Sequence, residues 1–200
     1  MIERPRVPLP VEYGNDTAFW VEYPTGLIDV SRATRLPAEA AKDAAYQPPP
    51  LKATQLDIPV DGNRVVRVDK EKTALVVIDM QKNWGLTDHE LKTIPPSLIR
   101  SFRKNSGGGF GSELPGKFGR LLMRGAYNSD LYEPLQSEYL KGAKEGTDFW
   151  IHKNRMSGLW GYQTALDLFL QENGITTLLF AGVNTDQVRR VHIRLIMSCN

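Results

Sequence analysis

An aspartate, a lysine and a GVNTDQ turn carry the chemistry open to this chain, and each stands at the end of an apolar run. Asp79 ends TALVVID, Lys153 ends DFWIHK, and Gly182 to Gln187 follow TTLLFA. In open α/β sheets functional groups gather at the carboxyl ends of strands, where loops diverge and helix N-termini point inward. A carboxylate and an ammonium at two such ends, with a strand-to-helix turn beside them, form the wall of an active site. Each also has a plainer reading alone. Asp79 would serve as a helix cap, and Lys153 as a solvated lysine at a strand end.

The elements that must position these residues follow from hydrophobic pattern. ALVVID is a short unbroken apolar run, β-branched in the middle, as expected of a parallel strand buried on both faces. DFWIHK at 148–153 and TTLLFAG at 176–182 read as two further strands, and the three are expected parallel and adjacent. Between the last two, Tyr162, Ala165, Leu166, Phe169 and Leu170 fall at helical spacing, predicting a helix over about 160–173 with Gly174 as a left-handed C-cap. Strand, helix, strand in about 35 residues is a βαβ unit. LYEPLQSEYLKG at 131–142 is a further helix, with Ser129 or Asp130 as its N-cap. Upstream, residues 1–70 read as an extended N-terminal arm. It carries a hairpin around Pro24–Thr25–Gly26, a weak helical stretch in RLPAEAAKDAAY, a PPP linker at 48–50 and a second hairpin at Asp61–Gly62–Asn63.

Composition excludes several functions. A 200-residue chain that is 41% hydrophobic and 24% charged fits one soluble globular domain. The formal charge of +2 is spread without a basic block, so no nucleic-acid partner is expected. No run approaches the roughly 18 apolar residues of a membrane span, and MIERPRVPLPVEYGND lacks the apolar stretch of a signal peptide. The single cysteine, Cys199, excludes an internal disulfide framework and points to the cytoplasm; it reads as a free tail thiol. His89, His152 and His192 are scattered, so neither metal nor cofactor is expected. The glycines of SGGGFG follow no strand and lack a P-loop Gly-Lys-Ser/Thr, which leaves a flexible loop. Trp160 and Tyr162 line a pocket mouth or pack in the core.

Together TALVVIDMQ, SGLWG and GVNTDQ resemble the isochorismatase-like cysteine hydrolases over residues 73–187. That family's pattern is an aspartate ending the first strand, a lysine ending a middle strand and G-V-x-T-D-x-C opening a helix. The resemblance implies a Rossmann-like parallel sheet with flanking helices. It implies Asp79 as general base toward a thiol, Lys153 beside it holding charge, and a cysteine thiolate that attacks an amide or related carbonyl to give an acyl-enzyme. It further implies oxyanion donors in the N–H groups of Asn184 and Val188, and a non-proline cis peptide at Val183–Asn184. The match fails at the nucleophile, because Val188 stands where the cysteine belongs.

A second departure follows Asp79. Met80 to Asn83 run straight into Trp84–Gly85–Leu86, a segment that in the family follows the second strand, so about 30 residues of helix and strand are missing. PPSLIRSFRK offers a helix downstream but no replacement strand. After Gln187, VRRVHIRLIMSCN departs from the family pattern and ends at Asn200. The expectation is therefore an incomplete α/β domain at 71–200 that takes a small-molecule substrate and is inactive, altered after Gln81 and after Gln187. Its rival is a non-catalytic protein of the same fold that binds a small ligand or a partner subunit. The arm is the kind of element that crosses to a neighbour in a homo-oligomer.

Overall fold

Turn residues and β-branched runs organise the N-terminal third. The structure, a computed structural model, describes residues 5–82, 111, 113, 119–153 and 157–182. Within them two units separate, one built from the chain up to Val76 with Asp167–Phe180, the other from Val77–Leu166 with Ala181 and Gly182.

The first unit contains a five-stranded sheet. Its strands are β1 (Val11–Gly14), β2 (Phe19–Glu22), β3 (Leu27–Asp29), β4 (Gln55–Val60) and β5 (Arg64–Asp69), in the order β1-β2-β3-β5-β4. Pro24–Thr25–Gly26 lies in the turn joining antiparallel β2 and β3, and Asp61–Gly62–Asn63 joins antiparallel β4 and β5. Between β3 and β5 the pairing is parallel, Leu27 opposite Val65 and Asp29 opposite Arg67. Val21, Tyr23 and Leu27 form the core, with Leu36, Tyr46 and Val65 packed on it. RLPAEAAKDAAY yields only a short 3-10 turn, Ala40–Lys42.

Arg67 fastens the loop before β4 to this sheet. Its side chain donates to both carboxylate oxygens of Asp57 at 2.7 and 2.9 Å and to the Pro49 carbonyl at 2.7 Å. The guanidinium hydrogen bond holds the Asp57 carboxyl below its ordinary range, outweighing the effect of burial. Tyr23 is shifted the other way: burial and then the Asp29 charge raise its hydroxyl to about 12.

β6 (Thr73–Ile78) and β7 (Thr177–Gly182) pair as a second sheet. The Lys72 carbonyl accepts from the N–H groups of Thr176 and Thr177, while Gly182 lies against Ile78, so starts meet starts and the two run parallel. DFWIHK, expected as the strand between them in sequence, forms none. Phe149 is 58% exposed, so the run lacks the two-sided burial that defines an interior parallel strand.

Two helices differ in extent from the sequence expectation. α1 spans Leu135–Glu145 instead of 131–142, with Pro134 rather than Ser129 or Asp130 at its N-cap. Proline disfavours helical geometry in the residue before it, so the helix begins only after Pro134. α2 spans Ala165–Glu172 rather than starting near 160, because Gly161 and Gln163 take positive φ values of 114° and 52°. Gly174 stands at φ 63°, where the C-cap was expected. No helix among the described residues is long and apolar enough to cross a membrane.

Candidate functional site

Asp79 follows β6 directly, and its backbone φ of 55° is left-handed. For an L-residue this costs roughly 1–2 kcal/mol, although aspartate tolerates it better than most. The turn swings the chain into a short antiparallel pairing with residues 129–132. Tyr132 N–H donates to the Met80 carbonyl at 2.9 Å, Lys82 N–H to Asp130 at 2.9 Å, and the Gln81 side chain to the Ser129 carbonyl at 2.8 Å. Thus the segment after Asp79 is pinned at once against the chain that leads into α1.

Lys153 reaches this turn from the 148–153 segment. Its Nζ donates to Asp79 Oδ2 at 2.8 Å, with side-chain exposures of 30% for the lysine and 20% for the aspartate. Trp150 anchors the segment edge-on against Tyr139 of α1, with ring centroids 5.2 Å apart. At the other end, the Thr147 and Asp148 N–H groups donate to the Gly142 carbonyl, and Gly146 closes α1 at φ 78°. A half-screened ion pair of this kind stabilises by about 0–1 kcal/mol, no more than the Asp79 backbone strain costs. Strain held in place without a matching gain in stability is a mark of functional positions.

Gly182 brings the end of β7 to the same place. A Cβ there would lie 2.1 Å from the Ile78 carbonyl oxygen, so only glycine permits this approach of β7 to the residue before Asp79. The structure therefore brings the ends of β6 and β7, at Asp79 and Gly182, together, and Lys153 of the non-strand 148–153 segment reaches Asp79. Asn184 and Val188 lie outside the described residues, as do His89, His192, Cys199, Trp84–Leu86 and, of SGGGFG, all but Gly111. Trp160 is 49% exposed and Tyr162 90%, so neither packs in a core.

Residues 119–130 form a loop that buries Leu121 together with the polar Asn128 and Ser129. Asn128, 1% exposed, accepts from Leu122 N–H at 2.6 Å and donates to the Arg120 carbonyl at 2.9 Å, while Ser129 Oγ bonds the Met123 and Ala126 carbonyls. This loop presents Arg124 to a cavity of about 350 Å³ that Trp150 and His152 also line. Burial and then the Arg124 charge lower the His152 pKa. Sequence reasoning passed over this group because Arg124 sits in a segment with no periodic pattern; its one signal was an aromatic and a histidine just before Lys153. Among the described residues, no three His, Cys, Asp or Glu side chains are grouped to hold a metal ion.

The Isochorismatase domain family matches residues 73–193, more than half of the chain. No curated protein and no solved structure matches.

Proposed function

Because the chain belongs to the isochorismatase domain family, we propose that its architecture is that of a cysteine hydrolase for a small amide or related substrate, and that this chain is itself inactive. The observation that carries the reading is the 2.8 Å hydrogen bond from Lys153 to Asp79 at the end of β6. A carboxylate fixed there is a general base, and the neighbouring ammonium holds negative charge that develops beside it. In the complete mechanism a cysteine thiol gives its proton to Asp79 and its thiolate attacks the carbonyl carbon. The oxyanion is received by the N–H groups of Asn184 and residue 188, the amine leaves as it takes the proton back from Asp79, and water, deprotonated by Asp79, attacks the thioester to release the acid and return the cysteine thiol. Val188 has no lone pair to donate, so the first bond cannot form.

The proposed architecture is a Rossmann-like parallel sheet lacking a helix and a strand after Gln81. The common direction of β6 and β7 supports it. A cytoplasmic location, supported by the single cysteine, and a homo-oligomeric state complete the proposal. A second reading, a non-catalytic small-ligand binder of the same fold, draws support from the cavity beside Arg124.

Product release from nicotinamide, isochorismate and simple amides tests the proposal, assayed for the wild-type chain, Asp79→Asn and Val188→Cys. All three are expected at the buffer rate, the last because the missing elements leave the pocket open to water. Wild-type turnover that Asp79→Asn abolishes would overturn the inactive reading. Thiol-dependent turnover by Val188→Cys would overturn the proposed loss of a helix and strand.

A further inference from the structure

The cavity beside the 119–130 loop contains neither Asp79 nor Lys153, and its lining has a chemistry of its own. Trp150 forms an aromatic wall, with Tyr139 edge-on to it at 5.2 Å and the His152 ring stacked at 6.0 Å and 29°. Arg124 stands at the rim and pairs with no carboxylate among the described residues. The one acidic group in the lining, Asp130, is already engaged: Lys82 Nζ lies 3.7 Å from its carboxylate and caps the Tyr127 ring at 3.8 Å. Lys82 thus engages the one carboxylate of the lining, and among the described residues Arg124 has no acidic partner, which leaves its positive charge in a cavity that Trp150 also lines. At about 350 Å³ the space falls at the small end of ligand sites.

We propose that this cavity is a binding site for a small planar carboxylate, whose ring stacks against Trp150 and whose carboxylate is received by Arg124. Guanidinium suits the role because its planar fork gives two parallel hydrogen bonds to a carboxylate. The flat face of Trp150 selects a conjugated ring over a puckered one. His152, which lines the same cavity, is held low by burial and then by the Arg124 charge, and a bound anion would offset the second of these. Arg124, Asp130, Lys82 through Asp130, and Tyr139 on α1 are the charged and titratable groups around its imidazole. The inference is independent of the hydrolase reading, since no step in it involves Asp79, Lys153 or residue 188.

Benzoate is the probe, titrated into the intact chain by calorimetry and followed by NMR at the Trp150 indole N–H and the His152 ring. The expected results are saturable binding at one site, movement of the Trp150 and His152 signals, and a His152 titration midpoint that rises on binding. Cyclohexanecarboxylate should bind several-fold more weakly, and benzyl alcohol not measurably. Arg124→Gln removes an exposed side chain and leaves the fold intact. It should weaken benzoate binding about tenfold or more, with Arg124→Lys recovering only part, as expected for a charge-assisted pair. Benzoate binding unchanged in Arg124→Gln would overturn the proposal, as would a lack of saturation up to about 10 mM, beyond which affinity is too weak for a specific site. Hydrolytic assays bear only on the Asp79 site, so failure of either proposal is distinguishable from failure of the other.

Discussion

Replacing Gly182 with alanine should destabilise the protein far more than any exposed glycine replacement, because two penalties coincide there. The residue takes φ +134°, a conformation L side chains rarely adopt, which costs roughly 1–3 kcal/mol. The new methyl would also lie 2.1 Å from the Ile78 carbonyl oxygen and 2.8 Å from its nitrogen, more than an ångström short of ordinary contact with the former. The obstacle is backbone, so relief requires β6 and β7 to part, adding roughly 1–3 kcal/mol as overpacking does. The sum is about 2–6 kcal/mol. Gly146→Ala is the internal control: its φ is +78° but nothing lies within 4 Å of the added carbon, so only the conformational part, about 1 kcal/mol, applies. Urea titrations followed by far-UV circular dichroism would compare the two against wild type at equal m-values. Ile78 is bonded to Asp79, so the displacement in Gly182→Ala should also loosen the contact with Lys153. Equal midpoints for the two variants would refute the close approach of Gly182 to Ile78.

Other perturbations test the structure elsewhere. Arg67→Met should cost about 2–3 kcal/mol at neutral pH, since it strips a charged partner from Asp57 and a donor from the Pro49 carbonyl. The Asp57 carboxyl is held low when folded, so its part of the stability is complete above the ordinary value of 3.8 and is lost as pH falls through the lower folded value. The gap between wild type and Arg67→Met in urea midpoint should therefore narrow in acid. Spectrophotometric titration should show one tyrosine ionising near 12, assigned by its loss in Tyr23→Phe. Its contribution is full below the ordinary value of 10.0 and is lost as pH rises through about 12, mainly because burial disfavours the phenolate. Asp79→Asn and Lys153→Met should each shift stability by less than about 1 kcal/mol, as partly exposed pairs do. A loss of several kcal/mol would make the pair structural.

The parts of the site legible in sequence were those encoded by short-range pattern. ALVVID and TTLLFAG declare strands by unbroken apolar runs, and the charge that ends the first run marks the strand end, so the position of Asp79 just after β6 is legible directly. Lys153 was found through DFWIHK, though that run is no strand: an aromatic anchor on α1 places the lysine where a strand end was expected. Periodicity cannot tell an apolar run that pairs with neighbours from one that pins a loop through Trp150. The turns at Pro24–Thr25–Gly26 and Asp61–Gly62–Asn63 were legible because their φ requirements are local. By contrast, the parallel pairing of β3 with β5 joins residues nearly forty positions apart with no turn to announce it. The cavity was invisible for a related reason, since Arg124 is placed by Asn128 and Ser129 bonding back to carbonyls of their own loop.

The central claim is that this chain retains the Asp79–Lys153 pair of a cysteine hydrolase without its nucleophile. Intact-mass spectrometry after acid quench, on the chain incubated with nicotinamide, isochorismate or a simple amide, tests it most directly by looking for the acyl-enzyme itself. The account predicts no substrate-dependent mass increase at any time point. A covalent adduct on any residue, Cys199 included, that disappears in Asp79→Asn would contradict it.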